Sequence, residues 1–166
     1  MNKICTLEEF LNFLKISCGF AFDIDKHTFG ERIKLQKYVF MAIRMGLDPK
    51  IPLDYGMYIR GPYSSSLADV YFNMDAWQRP IFDRENFNVS KFITTVGLRD
   101  TRWLEVACSI IYIYQNSLLR YGQEIDGFEI YEKLSTLKDF KKDEVMGTHQ
   151  YLCDAGLIGI APPKEN

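Results

Sequence analysis

The chain has few of the residues from which metal centres and nucleophilic active sites are built. Its 166 residues include four cysteines and two histidines. The cysteines stand far apart and form no C-x-x-C pair, so the spacing of a zinc site is absent. We therefore predict reduced, structural cysteines, as is usual in the cytoplasm, and neither a metal site nor a cofactor. The four are Cys5, Cys18, Cys108 and Cys153.

Catalytic signatures are also missing. No G-x-G-x-x-G or G-x-x-x-x-G-K-[ST] loop is present to hold phosphate. His149 falls on an apolar helix face, which favours a core or boundary histidine over a general base. Asp23, Asp25 and His27 alternate in a loop and could hold a divalent cation, but Asp and His are common in solvated turns, which is the favoured interpretation. No catalytic residue is predicted, and a hydrolase is the least favoured hypothesis.

Long apolar runs and a strongly basic balance are absent as well. The longest strongly apolar run, residues 106–114, has nine residues, whereas a membrane-spanning helix needs about 20. The amino terminus lacks the features of a signal peptide. The net charge of −2 is not that of a general nucleic-acid binder. These features predict a soluble cytoplasmic protein that does not contact membranes.

What is present is typical of a globular chain, with 47% hydrophobic and 25% charged residues. The length fits one domain, residues 1–166. We predict a mainly α fold: a helical domain with winged-helix-like (helix-turn-helix) features and one or two short β-strands. Residues 1–75 would form a half around a central helix and a GPYS segment. Residues 98–160 would form a half with a long helix and the helix-turn-helix.

The central helix is predicted over Arg32–Met45, because apolar residues on nearly all sides of a helix are typical of a buried one. Gly46 is placed to end it in a left-handed cap. A strand-like run, Tyr55–Ile59, follows, then a turn at Gly61-Pro62. Ser64 is expected to cap the next helix, from Ser65 to about Asp75.

Caps and apolar periodicity predict the remaining elements. The capping box Thr6–Glu9 opens a first helix that ends near Gly19. Asp100 caps a long helix that should pack against the central one. The other expectations are an ordered loop over Ala76–Val89, a short helix Lys91–Val96 capped by Ser90, the long helix Thr101–Tyr121, a helix Phe128–Leu137, a helix Lys142–Asp154, a short strand Leu157–Ile160 and an unstructured end over residues 161–166.

The most distinctive local feature is the R-G-P-Y-S-S-S segment. Its serines offer amides and hydroxyls at a helix N-terminus, where anions commonly bind. A ligand or phosphopeptide pocket is one interpretation; the other is that Ser64 caps its own helix and Tyr63 packs. The residues we predict to bind a partner are Lys34, Lys37, Arg60, Tyr63 and Ser64.

A second interpretation concerns the tail, where Lys142–Asp154 could be a recognition helix in a DNA groove. Lysines and carboxylates alternate there, so phosphates would find little net attraction. A helix-turn-helix that has a structural or protein-binding role is favoured. The residues that would contact nucleic acid are Lys141, Lys142, Thr148 and Gln150.

Two motifs resemble those of a known group. The spacing K-L-Q-K-Y-V-F (Lys34–Phe40), then Y-G-M-Y-I-R-G-P-Y-S-S-S-L (Tyr55–Leu67), is similar to the K-L-Q-K-L-x-Y … Y-G-P-Y-S-x-x-L signature of YwgA-like proteins. Panacea domains of antitoxins and of the SocA-type proteolytic adaptor carry a comparable one. The segments Leu134–Phe140 and Tyr151–Ile158 also resemble the helix-turn-helix end of the YwgA-like group. The resemblance implies a mostly helical fold, no established enzyme activity and, for the Panacea relatives, binding of a partner.

The leading hypothesis is a non-enzymatic protein-binding module, an antitoxin or a regulatory or proteolytic adaptor, whose partner is a toxin or a regulated target. The alternative is a winged-helix DNA-binding transcriptional regulator. An aromatic content of 14% would also suit a homodimer, since aromatic residues are enriched at interfaces.

Overall fold

The computed structural model describes residues 2–73 and 80–159. Within these ranges the chain is mainly α, as predicted, with seven α-helices. The described residues form five short strands rather than the one or two predicted, because strands of two to four residues carry little periodic signal. The strands are β1 (Ile4–Thr6), β2 (Asp48–Pro49), β3 (Tyr55–Tyr58), β4 (Gly61–Ser64) and β5 (Pro80–Asp83). The helices are α1 (Leu7–Cys18), α2 (Phe29–Arg44), α3 (Ser65–Phe72), α4 (Val89–Phe92), α5 (Thr101–Tyr121), α6 (Gly127–Ser135) and α7 (Lys142–Asp154).

The central helix is confirmed as α2, buried over most of its length from Ile33 to Ala42. It begins at Phe29, three residues before the predicted start, because Thr28 and Glu31 form a capping box. Met45 is its C-cap, and Gly46 follows with φ of 103°. A Cβ at Gly46 would lie 2.0 Å from the Asn86 carbonyl oxygen, so only glycine permits this backbone approach.

Strands β3 and β4 form an antiparallel hairpin in which Tyr55 lies opposite Ser64 and Tyr58 opposite Gly61. The turn is therefore Ile59-Arg60, and the predicted turn at Gly61-Pro62 is wrong. Pro62 lies inside β4, which a two-stranded ribbon tolerates because each of its strands has an unpaired edge.

The second sheet has the order β1-β5-β2, with both pairs antiparallel. Its central strand, β5, lies in the segment that was predicted to be an ordered loop, of which residues 76–79 fall outside the described ranges. Ile81 and Phe82 of β5 are buried. A strand this short gives no periodic signal, and its partners come from distant parts of the chain.

Three other boundaries differ from prediction. Asn88 rather than Ser90 caps α4, which continues as a π-helical segment, Ile93–Gly97. Asp126 caps α6, which ends two residues early at Ser135. Leu157 and Ile158 are buried but form no strand. Residues 160–166, including the predicted unstructured end, lie outside the described residues.

The long helix α5 and the tail helix α7 have the predicted bounds. Helix α5 contacts α2, β4, α6 and α7, so it joins the hairpin to the tail. Helices α6 and α7 approach closely at Gly127, where a Cβ would lie 2.7 Å from Nδ1 of His149. None of the described helices has the length and apolar character needed to cross a membrane.

Candidate functional site

Two polar side chains of α2 point into the protein and bind the hairpin. The amide of Gln36, which is fully buried, donates to the Ser64 carbonyl oxygen at 2.8 Å and accepts from the Ser64 N–H at 2.9 Å. Lys37, also fully buried, donates from Nζ to the Pro62 carbonyl oxygen at 2.7 Å. Strand β4 thus obtains from α2 the hydrogen bonds that a further strand would otherwise provide.

Ser64 is itself occupied by the fold. Its Oγ accepts from the Leu67 N–H at 3.1 Å, which caps α3, and the residue is fully buried. Of the five predicted partner-binding residues, Lys37 and Ser64 are therefore inaccessible to a partner in this conformation. Lys34 lies over the rings of Phe20 and Tyr38, each 5.6 Å from Nζ.

The environment of Lys37 is polar but closely packed. Burial lowers the pKa of Lys37 to about 8, an effect that Cys108 and Glu105 oppose and Lys138 reinforces. A Cβ at Gly61 would lie 3.0 Å from Cε of Lys37 and 3.2 Å from Oγ of Ser109. The Ser109 hydroxyl has no hydrogen-bond partner among the described residues. No substrate could enter here without movement of the hairpin.

The other two predicted residues, Arg60 and Tyr63, belong to the accessible part of the hairpin. Arg60 Nη1 lies 3.9 Å from Oε1 of Glu105, with the arginine side chain 58% exposed. Tyr63 is half-buried and packs against Tyr58 at 5.4 Å between ring centroids.

Beside them lies a group of exposed apolar side chains. Ile59 is 89% exposed, Leu137 59% and Tyr58 55%. Leu137 follows α6, and the next residue, Lys138, donates from Nζ to the backbone carbonyls of Tyr58 and Ile59. This contact holds the turn between α6 and α7 against the tip of the hairpin. We call the surface formed by Tyr58, Ile59, Arg60, Leu137, Lys138 and Lys141 the hairpin-tip surface.

A groove of about 460 Å³ runs through the hairpin-tip surface. Its lining includes four cations, Arg60, Arg102, Lys138 and Lys141, and two carboxylates, Glu105 and Asp139.

The charges of this groove are unequally available. Arg102 binds Glu144 through two hydrogen bonds, of 2.7 and 2.9 Å, which raise the pKa of Arg102 and lower the pKa of Glu144. Burial lowers the pKa of Lys138. Lys141 is exposed and forms no ion pair in the part of the chain that the structure describes.

The residues of the nucleic-acid hypothesis do not form one face. Thr148 is buried, and Gln150 Nε2 donates to Asp154 at 2.9 Å. Lys142 is exposed, with Nζ 5.1 Å from the centroid of the Phe128 ring. The exposed residues of α7 are Lys142, Asp143, Gly147, Gln150 and Asp154. One cation against two carboxylates gives that face little attraction for phosphates.

The two histidines lie in packed surroundings. His149 is half-buried, with Nε2 3.7 Å from Sγ of Cys153. Burial lowers the pKa of His149 and raises the pKa of the Cys153 thiol. A cysteine nucleophile requires the thiolate, and both shifts disfavour a thiolate–imidazolium pair.

The loop histidine, His27, stacks on Phe22 at 4.8 Å and its Nδ1 lies 3.0 Å from Nη1 of Arg32. Asp23 accepts from the Asp25 N–H at 2.8 Å, a local turn contact. Among residues 2–73 and 80–159, no three His, Cys, Asp or Glu side chains are placed to share a metal ion.

A second groove, of about 350 Å³, lies between α2 and α5 and is lined by aromatic residues including Phe40, Tyr55 and Tyr112. The charged residue in its lining, Arg44, donates to the Leu157 carbonyl oxygen. This groove is therefore lined by one cation, against four in the groove of the hairpin-tip surface.

Comparison of the chain with family models, with curated proteins and with solved structures finds no match in any of the three. The resemblance to YwgA-like and Panacea proteins stays a prediction that rests on the residues quoted above. In this structure, the residues that carry it, Gln36, Lys37 and the G-P-Y-S segment, form the internal contacts between α2 and β4.

Sequence reasoning missed the apolar half of the hairpin-tip surface. Ile59 was predicted to end a strand and lies in the turn instead. Leu137 was predicted to end a helix. The sequence carries only a weak signal for this surface. Ile59 and Arg60 precede Gly61-Pro62, where a hairpin turn would expose the isoleucine.

Proposed function

We propose that the protein is a non-enzymatic protein-binding module that contacts its partner through the hairpin-tip surface. The observation that supports this is a group of three exposed apolar side chains: Ile59 and Leu137 line one groove, and Tyr58 precedes Ile59 at the hairpin tip. Exposed apolar groups rimmed by polar residues mark interaction sites. Ile59 is too exposed to contribute much to the core, so a role in packing does not account for it.

The resemblance to Panacea domains gives this module a biological role. It supports an antitoxin or a regulatory or proteolytic adaptor in the cytoplasm, with a toxin or a regulated target as the partner. A second copy of the chain is the other protein that could cover the surface, which would make the protein a homodimer.

A winged-helix DNA-binding regulator is the second candidate. The observation in its favour is that Lys138, Lys141 and Arg60 line one groove near the turn between α6 and α7. The mixed charge of the exposed face of α7 argues against it. Fluorescence anisotropy with duplex DNA at low and moderate salt separates the two: a DNA regulator binds at low salt with a steep salt dependence, and a protein-binding module does not.

The test of the main proposal places a photo-crosslinking amino acid at Ile59 and, as a control, at Leu98, which is 85% exposed. We expect a defined adduct from position 59 and none of the same mass from position 98. The partner identified in this way should then bind the purified protein, with affinity reduced about tenfold or more by Ile59→Asp and unchanged by Leu98→Asp. Equal effects of the two substitutions would refute the proposal.

A further inference from the structure

We infer that the partner segment recognised by the hairpin-tip surface is an acidic peptide that also carries aliphatic side chains. This inference rests on the proposed function and adds the chemistry of the partner to it. Two observations support it: the exposure of the charged side chains around the groove, and the position of the apolar residues between them.

A partner that enters the groove would meet its exposed charges. Arg60 and Arg102 have side chains 58% and 51% exposed, whereas the carboxylate-bearing side chain of Glu105 is 9% exposed. Lys141 is exposed as well. Glu105 therefore lies inside, whereas the other lining carboxylate, Asp139, is exposed. Because Arg102 is bound by Glu144, the exposed lining charges open to a partner are Arg60 and Lys141 against Asp139. The accessible charge of the groove is positive, although the chain as a whole carries −2. Carboxylates of a partner are the complementary groups.

The groove also exposes apolar residues between its charges. Ile59 and Leu137 line the same groove as Arg60 and Lys141. Aliphatic side chains of a partner would bury these two, and such burial adds affinity that the cations alone would not give. A groove with this mixture matches a segment in which Leu, Ile or Val is flanked by Asp or Glu.

Nucleic acid is the other polyanion that a positively charged groove could bind. A phosphate backbone would leave Ile59 and Leu137 unmatched. Arg102 is already bound by Glu144, and Arg60 lies beside Glu105. Among the described residues, this leaves Arg60 and Lys141 as the exposed lining cations that form no hydrogen bond to a carboxylate. Two cations can pair with the acids of a short peptide, whereas affinity for DNA depends on several phosphate contacts. An acidic, aliphatic peptide uses both the cations and the apolar side chains.

The experiment measures binding of three fluorescein-labelled peptides to the full chain. The first peptide has a pair of leucines flanked on both sides by Asp and Glu. The second replaces the acids with lysine, and the third replaces the leucines with serine. We expect the first peptide to bind at least about tenfold more tightly than either of the others, and its affinity to fall as salt is raised.

Protein variants locate the site. Lys141→Glu should weaken the first peptide about tenfold, by reversing an exposed charge that lines the groove. Lys133→Glu is the matched control, because Lys133 is exposed on α6 and does not line the groove; it should change the affinity little. Thermal unfolding of both variants verifies that they are folded.

Equal binding of the acidic and basic peptides, equal effects of Lys141→Glu and Lys133→Glu, or tighter binding of duplex DNA than of the first peptide would each overturn the inference. The proposed function can survive that result. If the crosslinked partner depends on Ile59 but not on Lys141, the surface binds a protein and the acidic chemistry is wrong. If Ile59→Asp has no effect on the partner, both fail.

Discussion

The two ends of the β3–β4 hairpin have opposite characters. Towards its base, Pro62 and Ser64 are buried and are bound by Lys37 and Gln36 of α2 respectively. At its tip, Ile59 and Arg60 are exposed. The most distinctive residues of the sequence are therefore those of the base, and they form internal contacts. The surface open to a partner combines the tip residues Ile59 and Arg60 with Leu137, Lys138 and Lys141 from the segment between α6 and α7.

A physical reason connects the two ends. In a ribbon of two strands, each strand has one edge without a partner strand, and its buried N–H and C=O groups must find other partners. Side chains of α2 supply them along β4, and Lys138 binds the carbonyls at the turn. The hairpin is thus fixed at both ends, which lets apolar residues stay exposed at its tip in a defined position.

The largest effect is expected from Gln36→Leu. The substitution leaves the N–H and C=O of Ser64 buried without partners, at about 1–3 kcal/mol for each group. We expect a loss of roughly 2–6 kcal/mol in the free energy of unfolding, measured by urea denaturation. Gln115→Leu is the matched control, because Gln115 is half-buried on α5; it should change stability by no more than about 0.5 kcal/mol. Equal losses in the two variants would contradict the description of the base.

The next largest effect is a change in pH dependence with Lys37→Met. The pKa of Lys37 is about 8 in the folded protein and 10.5 ordinarily. Below pH 8, Lys37 is protonated in both states, and its buried charge destabilises the fold. As pH rises from 8 to 10.5, the folded state loses the proton first, so this destabilisation is relieved. The difference is worth about 3 kcal/mol at 1.36 kcal/mol per pKa unit.

The measurement is the free energy of unfolding of both proteins across this pH range. The wild-type protein should gain stability relative to Lys37→Met as pH rises. Other groups act in the opposite direction: burial raises the pKa of Cys108 to about 12 and that of Tyr38 to about 12. Both values lie above this pH range, so the thiol and the phenol stay protonated in the folded state of either protein. The comparison therefore isolates Lys37, even though Lys37 itself lowers the pKa of Cys108. Parallel pH profiles would mean that the ammonium is not buried as described.

The parts of the fold that the sequence predicted well are those fixed by local hydrogen bonds. Asp100 caps α5 and Gly122 ends it because each contact lies within a few residues. Helix α2 begins three residues before its predicted start, at Phe29, although Thr28 and Glu31 carry the same capping signal as Thr6 and Glu9. Strand β5 could not be predicted, since its pairing with β1 joins residues far apart in sequence.

The distinction between local and long-range contacts also separates the residues of the site that the sequence predicted from those that it did not. Arg60 and Tyr63 were predicted from a local motif, and both lie on the accessible part of the hairpin. The contact between Lys138 and the carbonyl of Tyr58 joins residues 80 positions apart, which no local pattern indicates. The burial of Lys37 was also beyond sequence reasoning, because a lysine on an otherwise apolar helix is usually expected to reach solvent.

The smallest effect on global stability is expected from Lys138→Met, yet this substitution tests the comparison most directly. Its hydrogen bonds to Tyr58 and Ile59 lie at the protein surface, so their loss should cost less than about 1 kcal/mol in the free energy of unfolding. Hydrogen exchange of the backbone amides of residues 58–61 should nevertheless become faster, because the tip is no longer held against the turn between α6 and α7. Amides of residues 63–64, bound at the base, should keep their protection.

Lys133→Met serves as the control, since Lys133 is exposed on α6 and lies outside the groove; it should leave exchange at the tip unchanged. If Lys138→Met accelerates exchange at tip and base alike, the hairpin opens as one unit and the two ends are not independent. If exchange at the tip is unaffected, the turn holds its position through its own backbone, and the exposed Ile59 needs no support from α6. A surface that is positioned by Lys138 and separated from the buried base requires faster exchange at the tip and unchanged exchange at the base.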